Sequence, residues 1–118
     1  MHYTVLTAAG QAGKKNGERK MQFVITALDG ENMLEKRMEA RPRHLAGMEK
    51  MSGRIICAGG LLDGAGKPKG SLLVMNFENR EALDEYLESE PYVTEHVWES
   101  VDVKPMNVVI VNGEKVGE

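Results

Sequence analysis

The 118-residue chain has one cysteine, Cys57, so it cannot close an internal disulfide. Cys57 lies in the apolar run RIICAGG, and a buried structural thiol is expected there. The chain also lacks long hydrophobic runs. Its apolar stretches are as short as Val108 to Val111, far below the ~20 residues a helix needs to cross a bilayer. Positive charge is not in excess: Lys and Arg number 15, Asp and Glu 18, for a net charge of −3. A nucleic-acid or anionic-membrane partner would call for a basic patch, so neither is expected. The start, MHYTVLTAAGQAGKK, has its lysines after the apolar stretch, the reverse of a signal peptide. These absences together point to the reducing cytoplasm.

Nucleotide and metal motifs are lacking too. GAGKPKG invites a phosphate reading, but a P-loop needs Ser or Thr after its lysine and a glycine five residues before the second one. Here Pro68 follows Lys67, and Leu61 holds the place of that glycine. Gly59, Gly60, Gly64, Gly66 and Gly70 are therefore read as turn glycines. His2, His44, His96 and Cys57 have no zinc-type spacing, so no metal is expected. No serine stands in a nucleophile elbow. Met33, Met38, Met48, Met51 and Met75 mostly fall at core positions and read as packing.

What is present is one domain's worth of alternating elements. Residues 1–20 are polar and Gly-rich after a possible short strand, and read as an N-terminal extension. The domain runs over 21–112, and 113–118 form a tail. Residues 22–28 are a β-rich run. Residues 31–40 are helix formers with Leu34 and Met38 at i, i+4. Pro42 is expected to open a second helix, where its missing N–H costs nothing, with Leu45, Met48 and Met51 inward. Gly53 stops it. Residues 54–58 and 71–77 read as strands around a glycine-rich loop, 59–70. Asn79 can cap the helix REALDEYLES, with Leu83, Tyr86 and Leu87 on one face. Residues 89–98 form a break with one further turn, and 100–105 and 107–112 one or two strands.

The order β-α-β-β-α-β implies an α+β, ferredoxin-like fold: an antiparallel sheet with both helices on one face. The strands are apolar on both faces. Leu73, Met75 and Phe77 oppose Leu72 and Val74, and Phe23 and Ile25 oppose Val24 and Leu28. A sheet with one wet face should alternate apolar and polar. A second subunit stacked on the open face is the expected cover.

Few residues remain for chemistry. In ARPRHLAG, a helix opening at Pro42 would put His44 in its first turn. Positive potential there keeps the ring neutral and able to accept a proton. Such a histidine needs a carboxylate partner. Asp29, ending the first strand, and Glu90, held extended by Pro91, are both candidates; a plain surface histidine is the other reading. His96 is expected to be a surface residue.

The segments LEKRMEARPRHL, GRIICAGG, KGSLLVMNFENREALDEYLESEPYV and VDVKPM, in this order, resemble the YciI-like (YCII-domain) proteins from about Met21 to Met106. The resemblance implies a homodimeric α+β barrel with a pocket centred on a histidine and an aspartate, no metal and no cofactor. By residue match the histidine is His44. The acid of the acid-Pro-Tyr triplet is Glu90, where the family usually has aspartate, and Tyr92 completes it. Asp29 matches a further acidic position, and Gly70 and Ser71 match a Gly-Ser pair bordering the pocket. Ala58-Gly59-Gly60 replaces the commoner Ala-Gly-Pro. Glutamate reaches one methylene further, about 1.5 Å, and a misplacement of about 1 Å can cost roughly 10²-fold in rate.

The implied function is cofactor-independent acid–base chemistry by a His/acid pair: elimination, isomerisation or hydrolysis of a small polar or ring-hydroxylated compound. Arg41 could hold an anionic group of it. The alternative is a non-catalytic small-molecule binder or accessory dimer with a degenerate site.

Overall fold

The central strand is β2 (Met21–Asp29), hydrogen-bonded on both edges in this computed structural model, which describes residues 2–4 and 20–118. Its antiparallel neighbours are β4 (Pro68–Phe77) and β5 (Trp98–Met106). β3 (Ile55–Leu62) adds to the far edge of β4, and the backbone of β1 (His2–Thr4) joins β5 in parallel. The order β1-β5-β2-β4-β3 carries the ferredoxin-like core as its last four strands. The rest of residues 1–20, save Lys20, lies outside the described residues.

Three helices fill the connections: α1 (Leu34–Lys50), α2 (Arg80–Ser89) and the single turn α3 (Pro91–Thr94). A 3-10 turn, Ser52–Arg54, leads from α1 into β3. Phe23, Ile25, Ala27, Leu73, Met75, Phe77, Val101 and Val103 form the inner face of the sheet. They pack with Ala40, Met48, Leu83, Tyr86, Leu87 and Tyr92 of the helices. Each large side chain buried this way contributes roughly 1.5–3 kcal/mol. α2 starts where expected, because the Asn79 side chain accepts the Ala82 N–H at 2.8 Å.

Three sequence expectations are corrected. First, α1 is one helix, and Pro42 sits inside it. Proline there removes one backbone hydrogen bond, to the Met38 carbonyl. The helix continues because its inward stripe, Arg37, Ala40, His44 and Met48, is buried as a unit. Leu34, Met38 and Leu45, expected inward, are exposed, while Met51 packs partly on the core. Second, Cys57 is exposed. A register shift between Ile55 and Cys57 turns it opposite Val74, on the face away from the helices. Third, the glycine-rich segment is mostly strand. β3 runs to Leu62 and β4 begins at Pro68, and the Asp63 carboxylate accepts the N–H groups of Ala65 and Lys67 to close the turn.

Beyond β5 the chain makes a small hairpin, β6 (Ile110–Val111) with β7 (Glu114–Lys115). It starts beside β2, where the Val108 N–H donates to the Gln22 side chain at 2.7 Å.

Candidate functional site

The site gathers at one end of the sheet, between α1 and α3. Its first part is set by local sequence. Glu90 closes α2 and caps α3, with φ −71° and ψ 122°. Pro91 forbids it a helical conformation and supplies the first residue of α3. In that conformation Glu90 Oε1 accepts the backbone N–H of Tyr92 at 2.9 Å. The side chain is therefore turned inward, and Glu90 is 1% exposed.

The second part comes from α1. His44 lies two turns after Arg37, about 10.5 Å along the axis at 1.5 Å per residue. Its Nδ1 is 2.8 Å from Glu90 Oε1. An ionised carboxylate only accepts, so Nδ1 carries the proton in this pair, leaving Nε2 as the free ring nitrogen. The other oxygen, Glu90 Oε2, accepts the Tyr86 hydroxyl at 2.8 Å. The buried carboxylate thus meets three donors, which is what a charge taken out of water requires. Burial, the charge of Glu90 and this hydrogen bond push the Tyr86 phenol far up.

The Tyr92 ring lies between the two α1 side chains. It stacks on the His44 imidazole, centroids 4.1 Å apart and planes 12° from parallel. The Arg37 guanidinium carbon lies 4.7 Å from its centroid. Trp98 meets both rings edge-on, at 6.3 Å from His44 and 5.7 Å from Tyr92. Its buried indole N–H has no hydrogen-bond partner among the described residues. The Tyr92 phenol is raised by burial, against the lowering pull of Arg37 and Arg41.

Arg37 organises the other end. Its Nη1 donates to both Asp29 oxygens, at 2.8 and 3.0 Å, and Nη2 donates to Ser71 Oγ at 2.8 Å. Burial raises the Asp29 carboxyl, opposed by the adjacent guanidinium. Gly70, just before Ser71, must be glycine, since a Cβ there would stand 2.5 Å from the Ala27 carbonyl oxygen. That close approach of β2 and β4 lets Asp29 and Ser71 share one guanidinium.

The residues expected from sequence therefore divide. His44 and Glu90 meet directly, and Tyr92 stacks on the histidine. Asp29 and Ser71 are near but bound to Arg37, so Asp29 is not the partner of His44. Arg41 is exposed on the adjoining face of α1, with no hydrogen bond or ion pair among the described residues. His44 is in mid-helix, not in a first turn, so the expected helix-terminus potential does not act on it. Its ring is held by Glu90 instead. His96 is exposed.

Arg37, Tyr86 and Trp98 were missed as site residues. Arg37 stands seven residues before His44, a spacing that would have exposed it once α1 was read as unbroken. Tyr86 was placed on the packing face of α2, but nothing signalled the reach of its hydroxyl. A cavity of about 720 Å³ opens between α1 and α2, behind the carboxylate. Tyr86, Glu90, Gly47 and Pro91 line it, and His44 does not. Among the described residues, no group of three or more His, Cys, Asp or Glu side chains could hold a metal. No helix among them is long and apolar enough to cross a membrane.

Comparison with known proteins matches residues 21–107 to the YCII-related domain. Protein YciI of Escherichia coli (strain CFT073) is 38% identical over 97 residues, which cover 75% of this chain and 99% of that protein. An uncharacterised protein of Haemophilus influenzae is 34% identical over the same length and coverage. Among solved structures, 5-chloro-2-hydroxyhydroquinone dehydrochlorinase from Burkholderia phenoliruptrix, in complex with 2,5-dihydroxybenzoquinone, superposes with a TM-score of 0.68. It is 24% identical, and the match covers 71% of this chain and 91% of that one.

Proposed function

The chain belongs to the YCII-related domain family, and from that premise we propose that it is an acid–base enzyme acting on a small polar or ring-hydroxylated compound. His44 Nε2 is the general base. The observation that carries this reading is the 2.8 Å contact between His44 Nδ1 and the buried Glu90 carboxylate. The contact fixes the tautomer that leaves a lone pair on Nε2, and it stabilises the imidazolium formed when a proton is taken. Stacking on Tyr92 keeps the ring from rotating away. The proton returns from Nε2 to the product or to water, so elimination, isomerisation and hydrolysis are all within reach of the pair, with no cofactor needed for the proton transfers.

Arg41, exposed and three residues before His44 on the helix, is the substrate's anion partner in this reading. Asp29 and Ser71 hold Arg37 in place rather than touching the substrate. The fold neighbour's name describes loss of HCl from a hydroxylated ring. That is an elimination, and it is compatible with one base and one stabilised imidazolium.

The reading includes a homodimer through the open sheet face. On that face Val24 and Leu72 are only partly buried in the single chain. Leu28 at its edge is 47% exposed. The single cysteine suits the reducing cytoplasm.

The test is His44→Ala, assayed on a panel of hydroxylated and halogenated aromatic and lactone compounds. Turnover is expected to fall by about 10²–10⁴-fold, the usual worth of a general base, with the oligomeric state unchanged. Unchanged turnover would sink the base assignment. Binding without any turnover in the unaltered protein would favour a small-molecule binder on the same scaffold.

A further inference from the structure

We propose that Tyr86 is a positioning residue for the His44–Glu90 pair: by holding one carboxylate oxygen of Glu90, its hydroxyl keeps the other aimed at His44 Nδ1. The proposal deepens the acid–base reading above and rests on it for its functional meaning, but its geometry stands apart from any substrate.

The terminal torsion of a glutamate is broad and weakly restrained. One fixed oxygen leaves the carboxylate plane free to swing. At Glu90, Oε1 takes both the Tyr92 N–H at 2.9 Å and His44 Nδ1 at 2.8 Å. These two donors share a single oxygen and do not by themselves set the plane. The third donor does so. Tyr86 Oη is 2.8 Å from Oε2. Tyr86 and Glu90 are four residues apart at the end of α2, so the contact spans one helical turn.

The Tyr86 hydroxyl is itself well placed. It is buried, its ring leans on Phe77 at 5.9 Å, and its other near neighbour is Met48 Sδ at 3.3 Å. A thioether is a weak acceptor and a carboxylate a strong one, so the single hydroxyl proton goes to Glu90. Tyr86 also closes the cavity side of the carboxylate. Both residues line the cavity between α1 and α2, from which water would otherwise reach Oε2.

The experiment reads the His44 Nδ1–H proton by ¹H–¹⁵N NMR in the full chain, with His44→Gln identifying its signal. In the unaltered protein the proton is expected to exchange slowly with water. Tyr86→Phe keeps the ring and its packing and removes only the donor; exchange is expected to quicken by about 5–10-fold, the worth of one hydrogen bond. In a Glu90→Asp background the shorter arm cannot reach both partners. That change alone quickens exchange, and adding Tyr86→Phe then has no further effect. Unchanged exchange in Tyr86→Phe overturns the proposal. So does an equal acceleration in both backgrounds, which would mark a general packing role. Slow exchange in Glu90→Asp alone overturns it from the carboxylate's side, without relying on the tyrosine variant. The catalytic reading fails by a different observation, turnover that survives His44→Ala, so the two failures are separable.

Discussion

Arg37 of α1 and Asp29 of β2 are tied by a single guanidinium nitrogen that donates to both carboxylate oxygens, at 2.8 and 3.0 Å. Their side chains are 6% and 4% exposed. Removing one member of such a pair strands the other charge in a poorly solvated place. Arg37→Met is therefore expected to cost about 3–5 kcal/mol of folding stability. Adding Asp29→Asn should recover at least about 1 kcal/mol, since the stranded carboxylate is gone. Urea denaturation of the single and double variants measures both. A double variant no more stable than Arg37→Met would contradict the pairing.

Pro42 occupies an exposed position inside α1. A proline in a helix interior is worth roughly 3 kcal/mol less than alanine. Part of that is offset, because proline also restricts the unfolded chain by about 0.4–1 kcal/mol. Pro42→Ala is expected to stabilise the fold by about 2–2.5 kcal/mol net. The prediction is checked by the denaturation midpoint at constant m-value. Destabilisation by this variant would mean that the proline performs a task the helix geometry does not reveal.

Glu95, just after α3, accepts from Arg43 Nε and Nη2 at 2.7 and 2.8 Å and lies 3.5 Å from Lys36 Nζ. Hydrogen bonding by Arg43 holds its carboxyl down at about 2, from an ordinary 4.5. A lowered folded-state value means stability that is complete above the ordinary pKa. It is lost as pH falls through the folded one. Unaltered protein should melt above Glu95→Gln at neutral pH, and the gap should close between pH 4.5 and about 2. Melting curves across that window test it. A gap that stays constant down to pH 2 would show that the ion pairs contribute nothing.

Cys57 and Val74 are paired in register on the face of the sheet away from the helices. If two copies stack there, as the proposed homodimer requires, the thiol is covered in the dimer and open in the monomer. Leu72→Asp places two like charges near the centre of the interface, and it should give monomers by light scattering. Its Cys57 should then react with a thiol reagent at least about 10-fold faster, a rate set by access. Equal thiol reactivity in the two proteins would argue against this face as the interface.

Much of the fold was legible in the sequence because periodicity survives without tertiary context. The alternation Leu73, Met75, Phe77, the inward triplet Leu83, Tyr86, Leu87 and the cap at Asn79 are local signals, and each element stands where they put it. The local reading of α1 failed at Pro42. Breaking a helix and bearing one lost hydrogen bond look alike in a short window. The choice is made by what the flanking turns bury, here Arg37 before the proline and His44 and Met48 after it. Cys57 was misjudged for a related reason. An apolar run does not say which way each residue points, and one register shift in β3 reversed it.

The same division holds at the site. By itself the sequence determined that Glu90 would have an extended backbone, because Pro91 disfavours the helical conformation there. It left His44 with two readings, a plain surface residue or a ring in need of a carboxylate. Only the tertiary structure decided between them, and which carboxylate it is. Asp29 and Glu90 both lie at the right end of the sheet, but Arg37 takes Asp29, and Tyr86 and the Tyr92 N–H hold Glu90 toward the imidazole. Those choices depend on distances between α1, α2 and β2, elements far apart in the chain, and a difference of a few ångströms between two carboxylates leaves no mark on residue spacing.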